Sequence, residues 1–496
     1  MYYFSKNEDE ENLAYEQHKK YVDKLFYNCI DGKSEKLYIK ILEKPEITDS
    51  VNKDKLNEVY SPDVVHISLI TNEMLEYDNK VFNTLQNVKS QLDISESINS
   101  EGMIIKLENN LESEGYLYRP YFLEFMVDIN QLEKKDRSIL SDENIVGKWI
   151  EASFLSSDNK VSEDMHIFQG VVLFSASPFK FVGKKLVIQD KNIKKIPKNI
   201  NDWVRKMYDT SKSVKNINEI RRVLNINFAR ANDYKVKIYN VGDGNCLYIY
   251  CDNGSRILFD IGHNYNPFLI HDDKIRKAEN SIKKMKPHTI ILSHWDLDHV
   301  IGVVFAKQWI FKRPWIAPDL NVLPTSQVSM GALRVAKYLE LYNQLYLVDS
   351  KYRNHLIYSK SNISIWCGKG NVKGRRLTET NNAGLIIEFN QGEILTLLPG
   401  DCEYLALPDN LNFSKKRFNH IVIPHHCSAM DTSVLSTKSV TNDYAIISVN
   451  QWNKIRPNQV HKDYLQNNCK YSIEETGGRF CIDIPSVAGI NINPCN

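Results

Sequence analysis

Short apolar runs that alternate with helical segments predict an α/β fold, and three observations support it. First, from Lys235 the strand-like runs 236–239, 246–251 and 256–259 lead into a helical stretch, 274–285, and a further run at 288–292. Second, runs over 384–389, 393–398, 420–423 and 444–448 keep the same texture among helical or loop segments. Third, several of these runs deliver a polar cluster at their C-terminal end, as expected where loops meet at one edge of layered sheets.

At 496 residues the chain is longer than one hydrophobic core supports, so two or more domains are expected. Residues 1–200 predict a separate mixed α+β domain of unknown role, with strands over 164–174 and 185–188 and no chemical motif. Trp203, Val204, Met207, Ile217, Ile220, Val223 and Leu224 recur at three- and four-residue steps, which predicts a helical linker over 201–232. Residues 233–496 form the domain that carries the polar clusters.

The composition is that of an ordinary globular protein: 42% apolar, 25% charged, net charge +2. That balance does not announce a polyanion-binding surface, so contact with nucleic acid would need local basic patches. Such residues gather as Lys307, Lys312 and Arg313; as Lys369, Lys373, Arg375 and Arg376; and as Lys415, Lys416 and Arg417. The nine cysteines form no C-x-x-C pair, and their odd number predicts reduced thiols. The N-terminus lacks the pattern of a signal peptide and no run of about 18 apolar residues occurs. The expectation is a soluble, cytoplasmic protein without membrane contact, its oligomeric state open.

Five segments carry the chemistry: Phe259-Asp260-Ile261-Gly262, Ser293-His294-Trp295-Asp296-Leu297-Asp298-His299, Asn381-Asn382, Gly400-Asp401-Cys402 and Pro424-His425-His426-Cys427-Ser428. His294, Asp296, Asp298 and His299 fall within six residues, too crowded for one strand face and suited to a loop around a cation. Imidazole and carboxylate donors without clustered thiolates favour a hydrolytic Zn²⁺ or Mn²⁺ site over a structural one. Asp401 and one or both of His425 and His426 would complete the ligand set, for one or two ions; an aspartate that bridges two cations suits a two-metal site. A lone His-x-Asp is also what a surface loop would show. Five ordered clusters after strands favour the metal. Cys402 and Cys427 are expected to pack rather than react, and His263 and His271 to lie on a solvated loop.

In combination these segments resemble the metallo-β-lactamase fold hydrolases, in the branch of the soluble C-terminal domain of the ComEC DNA-uptake channel. Asn240-Val241-Gly242-Asp243-Gly244-Asn245-Cys246 is similar to that branch's opening glycine-rich turn, Phe259-Asp260-Ile261-Gly262 to its F/I-D-x-G, and Leu292–His299 to its L-S-H-x-D-x-D-H. Thr380-Asn381-Asn382, Leu398-Pro399-Gly400-Asp401 and Ile423–Ser428 resemble the remaining motifs, so the likeness covers about 235–485. It implies an αββα sandwich with metal ligands His294, Asp296, Asp298, His299, Asp401 and His425 or His426. Asp260, Asn382 and Ser428 would support them, Asp298 and His299 would be catalytic, and Asp298 could accept the proton of a metal-held water. Trp295, Arg375, Arg376 and Lys415 are candidates for substrate contact. The sequence departs from the branch at Cys427, at Ala383-Gly384 and at Arg456-Pro457, where a glycine, a serine and a last histidine are lost.

The resemblance implies a metal-dependent phosphodiesterase, a nuclease acting on DNA or RNA. Residues 1–230 would gate it or bind a protein partner, as in an antiviral or toxin-like effector. Hydrolysis of a small ester, lactone or cyclic nucleotide is one alternative, since one fold hosts many reactions. A catalytically weakened metal-binding scaffold in a multi-protein complex is the other.

Overall fold

The computed structural model describes, with short gaps, residues 20–42, 64–93 and 120–494, which divide into two compact units. Among the described residues, one unit takes those up to Asp209 together with Ser329–Asn343, and the other takes Thr210–Val328 and Gln344 onward. Mixed α/β architecture with several sheets is what results.

The first unit is built on six antiparallel strands: β1 (Leu37–Ile41), β2 (Val64–Thr71), β3 (Phe122–Asp128), β4 (Trp149–Phe154), β5 (Met165–Ser175) and β6 (Phe179–Gln189). They close into a barrel in the order β1-β2-β3-β5-β6-β4, which leaves no open edge. Ile39, Ile67, Leu69, Phe125 and Val172 are wholly buried. The helix Met330–Leu341 packs here although its sequence neighbours belong to the other unit. Its Arg334 forms a wholly buried ion pair with Asp78 at 2.9 Å and lies 4.0 Å over the ring of Tyr121. Gly331 permits the approach, since a Cβ there would come within 1.8 Å of the Phe122 ring.

The stretch expected as one helical linker is instead two helices, Lys198–Met207 and Ile217–Phe228, separated by β7 (Val214–Lys215). The physical reason is local: Asn216 has extended backbone and its side chain accepts the Asn218 N–H, so it caps a new helix. The division between units falls in this stretch, between Asp209 and Thr210.

The second unit holds two sheets. One runs β22-β21-β8-β9-β10-β11-β12-β13-β7, with β8 (Tyr234–Tyr239), β9 (Leu247–Cys251), β10 (Arg256–Phe259), β11 (Thr289–Ile291), β12 (Trp315–Pro318), β13 (Leu345–Val348), β21 (Cys481–Ile484) and β22 (Asn493–Pro494). The other runs β14 to β20 in order: β14 (Leu356–Lys360), β15 (Ile363–Cys367), β16 (Leu385–Gln391), β17 (Ile394–Leu398), β18 (His420–Val422), β19 (Tyr444–Ile447) and β20 (Ser472–Glu475). Val236, Ile249, Phe259 and Ile316 of the first sheet share one buried core with Ile365, Ile387, Leu398 and Val422 of the second. The helix Ile217–Phe228 adds Ile220, Leu224 and Phe228 to it. Strands β10 to β13 are parallel to one another, as are β17 to β20, so within each sheet their C-terminal ends share an edge. The candidate site sits on loops that leave those ends.

Cys481 is disulfide-bonded, which corrects the expectation that all thiols are reduced. Neither count nor spacing reveals a pairing made in space. Cys29, Cys246, Cys251, Cys367, Cys402, Cys427 and Cys469 are free and buried. Among the described residues no helix is long and apolar enough to cross a membrane.

Candidate metal centre

The loop after β10 begins with Asp260, which sits at φ 60°, a left-handed conformation that aspartate tolerates better than most residues. Its Oδ1 accepts the Ser293 N–H at 2.6 Å, and its Oδ2 accepts the Ser293 hydroxyl at 2.8 Å and faces Nδ1 of His299 at 2.8 Å. Two residues on, Gly262 lets the loop touch the next motif: a Cβ would fall 1.9 Å from the backbone oxygen of Asp298. The Ile261 N–H donates to the carbonyl of His299 at 3.0 Å, completing the clamp.

The loop after β11 turns at Asp296, which caps a short helix, Leu297–Val300, without using its side chain. Asp298 and His299 thus occupy the first turn. Gly400, at φ 58°, turns the chain after β17; a Cβ there would lie 2.6 Å from the Ser293 side chain. Asp401 then presents Oδ1 at 3.2 Å from His299 Nε2. After β18 the residues His425, His426 and Cys427 all have positive φ, and His426 swings Nε2 to 3.5 Å from Asp298 Oδ2.

One donor atom each from Asp298, His299, Asp401 and His426 lies within 4.8 Å of the others, so these four side chains can share one cation. The imidazoles are set for it. The Ser448 carbonyl, 2.7 Å from Nδ1 of His426, can only accept, so Nδ1 carries the proton and Nε2 is left with its lone pair. The carboxylate of Asp260 fixes His299 in the same way. Nε2 of His294, His299 and His426 are all buried without a hydrogen-bond partner. Orphaned buried nitrogens are costly, and a divalent cation satisfies them; the donor set fits the metal.

Electrostatics point the same way. Burial disfavours charge on His299, but Asp401, Asp260 and Asp298 outweigh it and hold its pKa well above the ordinary range. Burial likewise opposes charge on Asp298 and Asp401, yet His299 and His426 keep both carboxyls below the usual carboxylate range. Carboxylates aimed at imidazole nitrogens in a buried pocket are what a cation would bridge.

Other expected residues are placed as follows. His294 lies beside the group, its ring 4.0 Å from that of His299 and its Nε2 3.4 Å from Asp296 Oδ2. His425 is not among the four: its Nε2 is 4.0 Å from Asp401 Oδ2 and 3.0 Å from Arg456 Nη2. Burial, then the Arg456 charge, lowers its pKa to about 3, so it is neutral and accepts from the guanidinium. Of the two adjacent histidines, His426 therefore joins the cluster. Asn382 accepts the Glu403 N–H at 2.9 Å and so holds the loop behind Asp401. The Ser428 hydroxyl donates to the His425 carbonyl at 2.8 Å, supporting the turn rather than a ligand ring.

One substrate expectation, that for Trp295, is corrected. Trp295 is wholly buried and its indole N–H donates to the Pro318 carbonyl at 2.8 Å, so it cannot stack on a substrate. Lys416 pairs with Glu388, Arg417 with Asp443, and Lys369 with Asp409 at 2.9 Å; these cations are matched by local acids. Arg375, Arg376 and Lys415 lie outside the described residues, as do Lys307, Lys373 and His271. His263 is buried rather than solvated, with Nε2 3.2 Å from Glu279. Cys402 and Cys427 are buried, and burial pushes the Cys427 thiol up to about 12 and that of Cys402 well above its ordinary value, so both are inert. Sequence reading gave no role to Asn245, whose amide donates to Asp401 at 3.4 Å, or to Ser293, the hub joining Asp260, His294 and His299. Both stand inside the recognised motifs, which is the signal that could have found them.

No family model and no curated protein sequence matches the chain. Among solved structures, it is similar to a mutant of CmlA beta-hydroxylase, at 10% identity over 69% of this chain and 76% of that one, with a TM-score of 0.33. It is also similar to a diphosphatase of the PhnP family, at 10% identity over 51% of this chain and 99% of that one, with a TM-score of 0.28. Scores this low carry no weight for the function, which has to rest on the site itself.

Proposed function

We propose that the protein is a metallo-β-lactamase fold metallohydrolase that cleaves phosphodiesters, a nuclease acting on DNA or RNA. The observation that supports it best is the convergence of two buried imidazole nitrogens, Nε2 of His299 and of His426, with the carboxylates of Asp298 and Asp401. A divalent cation bound there would supply a Lewis acid and an acidified water.

The chain's own residues do the rest. Asp260 and Ser448 occupy Nδ1 of His299 and His426, so Nε2 of each faces the clustered carboxylates, and a cation bound there would displace the proton those carboxylates favour on His299. Asp298 retains 14% side-chain exposure and Asp296 retains 34%, so this side of the centre meets solvent. Asp298 is thereby the ligand placed to take a proton from an attacking water, while buried Asp401 and His299 hold position. The phosphodiester preference is supported by the sequence motifs shared with the ComEC-type branch. In this reading the first unit gates the hydrolase or receives a partner, as in an antiviral or toxin-like effector.

The test is removal of metal with chelator, then add-back of Zn²⁺ or Mn²⁺, against single- and double-stranded DNA and RNA, a cyclic nucleotide, an ester and a lactone. Turnover of nucleic acid only after add-back is expected. Turnover of the small substrates alone would replace the nuclease reading with the alternative hydrolase. Intact metal binding without any turnover would favour the scaffold.

A further inference from the structure

Resting on the metallohydrolase reading, we propose that the centre holds a single divalent ion and that the guanidinium of Arg456 is the second positive charge beside it. Asp401 has two faces: Oδ1 looks at His299 Nε2, 3.2 Å away, and Oδ2 looks at His425 Nε2, 4.0 Å away. A carboxylate so placed could bridge two cations, and His294 with Asp296 stands near as further donors. The second position is nonetheless spoiled. His425 Nε2 has one in-plane lone pair, and Arg456 Nη2 already lies 3.0 Å from it.

An imidazole lone pair that accepts an N–H bond cannot also bind a metal. Arginine stays protonated under any ordinary condition, so the contact does not lapse as a histidine's or lysine's would. The backbone beside it is anchored too: two residues on, the Asn458 N–H donates to the Cys427 carbonyl at 2.7 Å, tying 456–458 to the turn that carries both histidines. A dication seated between Asp401 and His425 would therefore lose a ligand and meet a positive charge. The group of four that does form draws on none of His294, Asp296 or His425. The charge Arg456 supplies is planar and forked, which suits the oxygens of a phosphoryl group better than a neutral ester.

The experiment is native mass spectrometry with elemental analysis on the full chain, saturated with Zn²⁺ or Mn²⁺ and exchanged into metal-free buffer. The native chain should retain one ion, and Arg456→His should retain two, because the substitution frees His425 and adds a donor. Arg456→Ala should take a second ion that is lost more readily than the first. Two ions in the native chain would overturn the proposal and leave the metallohydrolase reading intact, and this arm stands even if a variant misfolds. One ion in both variants, with melting curves matching the native chain, would overturn the role given to Arg456. No ion in any form would remove the metallohydrolase reading itself.

Discussion

The Asp260 carboxylate lies 2.8 Å from Nδ1 of His299, and neither side chain reaches solvent. The pairing fixes the tautomer of a residue that must offer Nε2 to a cation. Asp260→Asn keeps the shape but loses the charge and the obligatory acceptor. It is expected to weaken metal affinity by about 10- to 100-fold while the far-ultraviolet circular dichroism is unchanged. Isothermal titration calorimetry checks it, and native affinity in the variant would remove Asp260 from its orienting role.

Asp298→Ala combined with His299→Ala takes away two of the four clustered ligands. Hydrolysis should be abolished, and added Zn²⁺ should no longer raise the melting temperature. For the native chain the rise should correspond to about 2.7 kcal/mol at a free-metal concentration of roughly 100 Kd. The deletions also take from Asp260 and Asp401 the imidazole that both face, so a far-ultraviolet circular dichroism spectrum in chelator accompanies the assay and is expected to match that of the native chain. A melting curve that still responds to metal would show that the ion binds elsewhere.

Gly262→Ala tests the clamp between the first two motifs. Its new Cβ would lie 1.9 Å from the Asp298 backbone oxygen and 2.5 Å from that of Asn245, and backbone cannot rotate away as a side chain can. A loss of about 3 kcal/mol or more is expected in denaturant unfolding, with loss of metal binding. A neutral result would mean that the two loops are not in contact.

Trp295→Phe should leave turnover within about twofold of native, because the indole faces Pro318 rather than substrate. The cost falls on stability, roughly 1–3 kcal/mol for a buried carbonyl that loses its donor. A large rise in KM with unchanged stability would restore the substrate contact.

In the barrel unit, burial raises the pKa of Glu124 from 4.5 to about 7, against a lowering by the Ser68 hydroxyl, which donates to it at 2.8 Å. The folded state therefore keeps a proton that the unfolded chain releases near pH 4.5. Stability from this group is present below that value and is lost as pH rises toward 7, by on the order of 3 kcal/mol. Glu124→Gln should flatten that part of the stability curve. A slope that survives the substitution would assign it to another group.

Much of the second unit was legible in sequence because its strands are short apolar runs and its ligands are of residue types that rarely cluster by chance. Expected runs at 256–259, 393–398 and 444–448 lie within a residue of β10, β17 and β19. What stayed hidden depends on direction in space. The pair His425-His426 looks symmetrical in sequence; only three successive left-handed residues turn His426 toward Asp298 and leave His425 to Arg456. Trp295 stands between two ligand candidates yet points into the core, because alternate residues of a tight loop face opposite ways. The helix Met330–Leu341 is not singled out in sequence, and the partner of its Arg334, Asp78, lies 256 positions away, where no local pattern could name it.

Anomalous X-ray diffraction from crystals grown with Mn²⁺ or Zn²⁺ examines the cation-gripping loops most directly. The expected result is a strong peak within ligand distance of Asp298, His299, Asp401 and His426. A map without a peak there, from protein saturated with metal, would contradict the account.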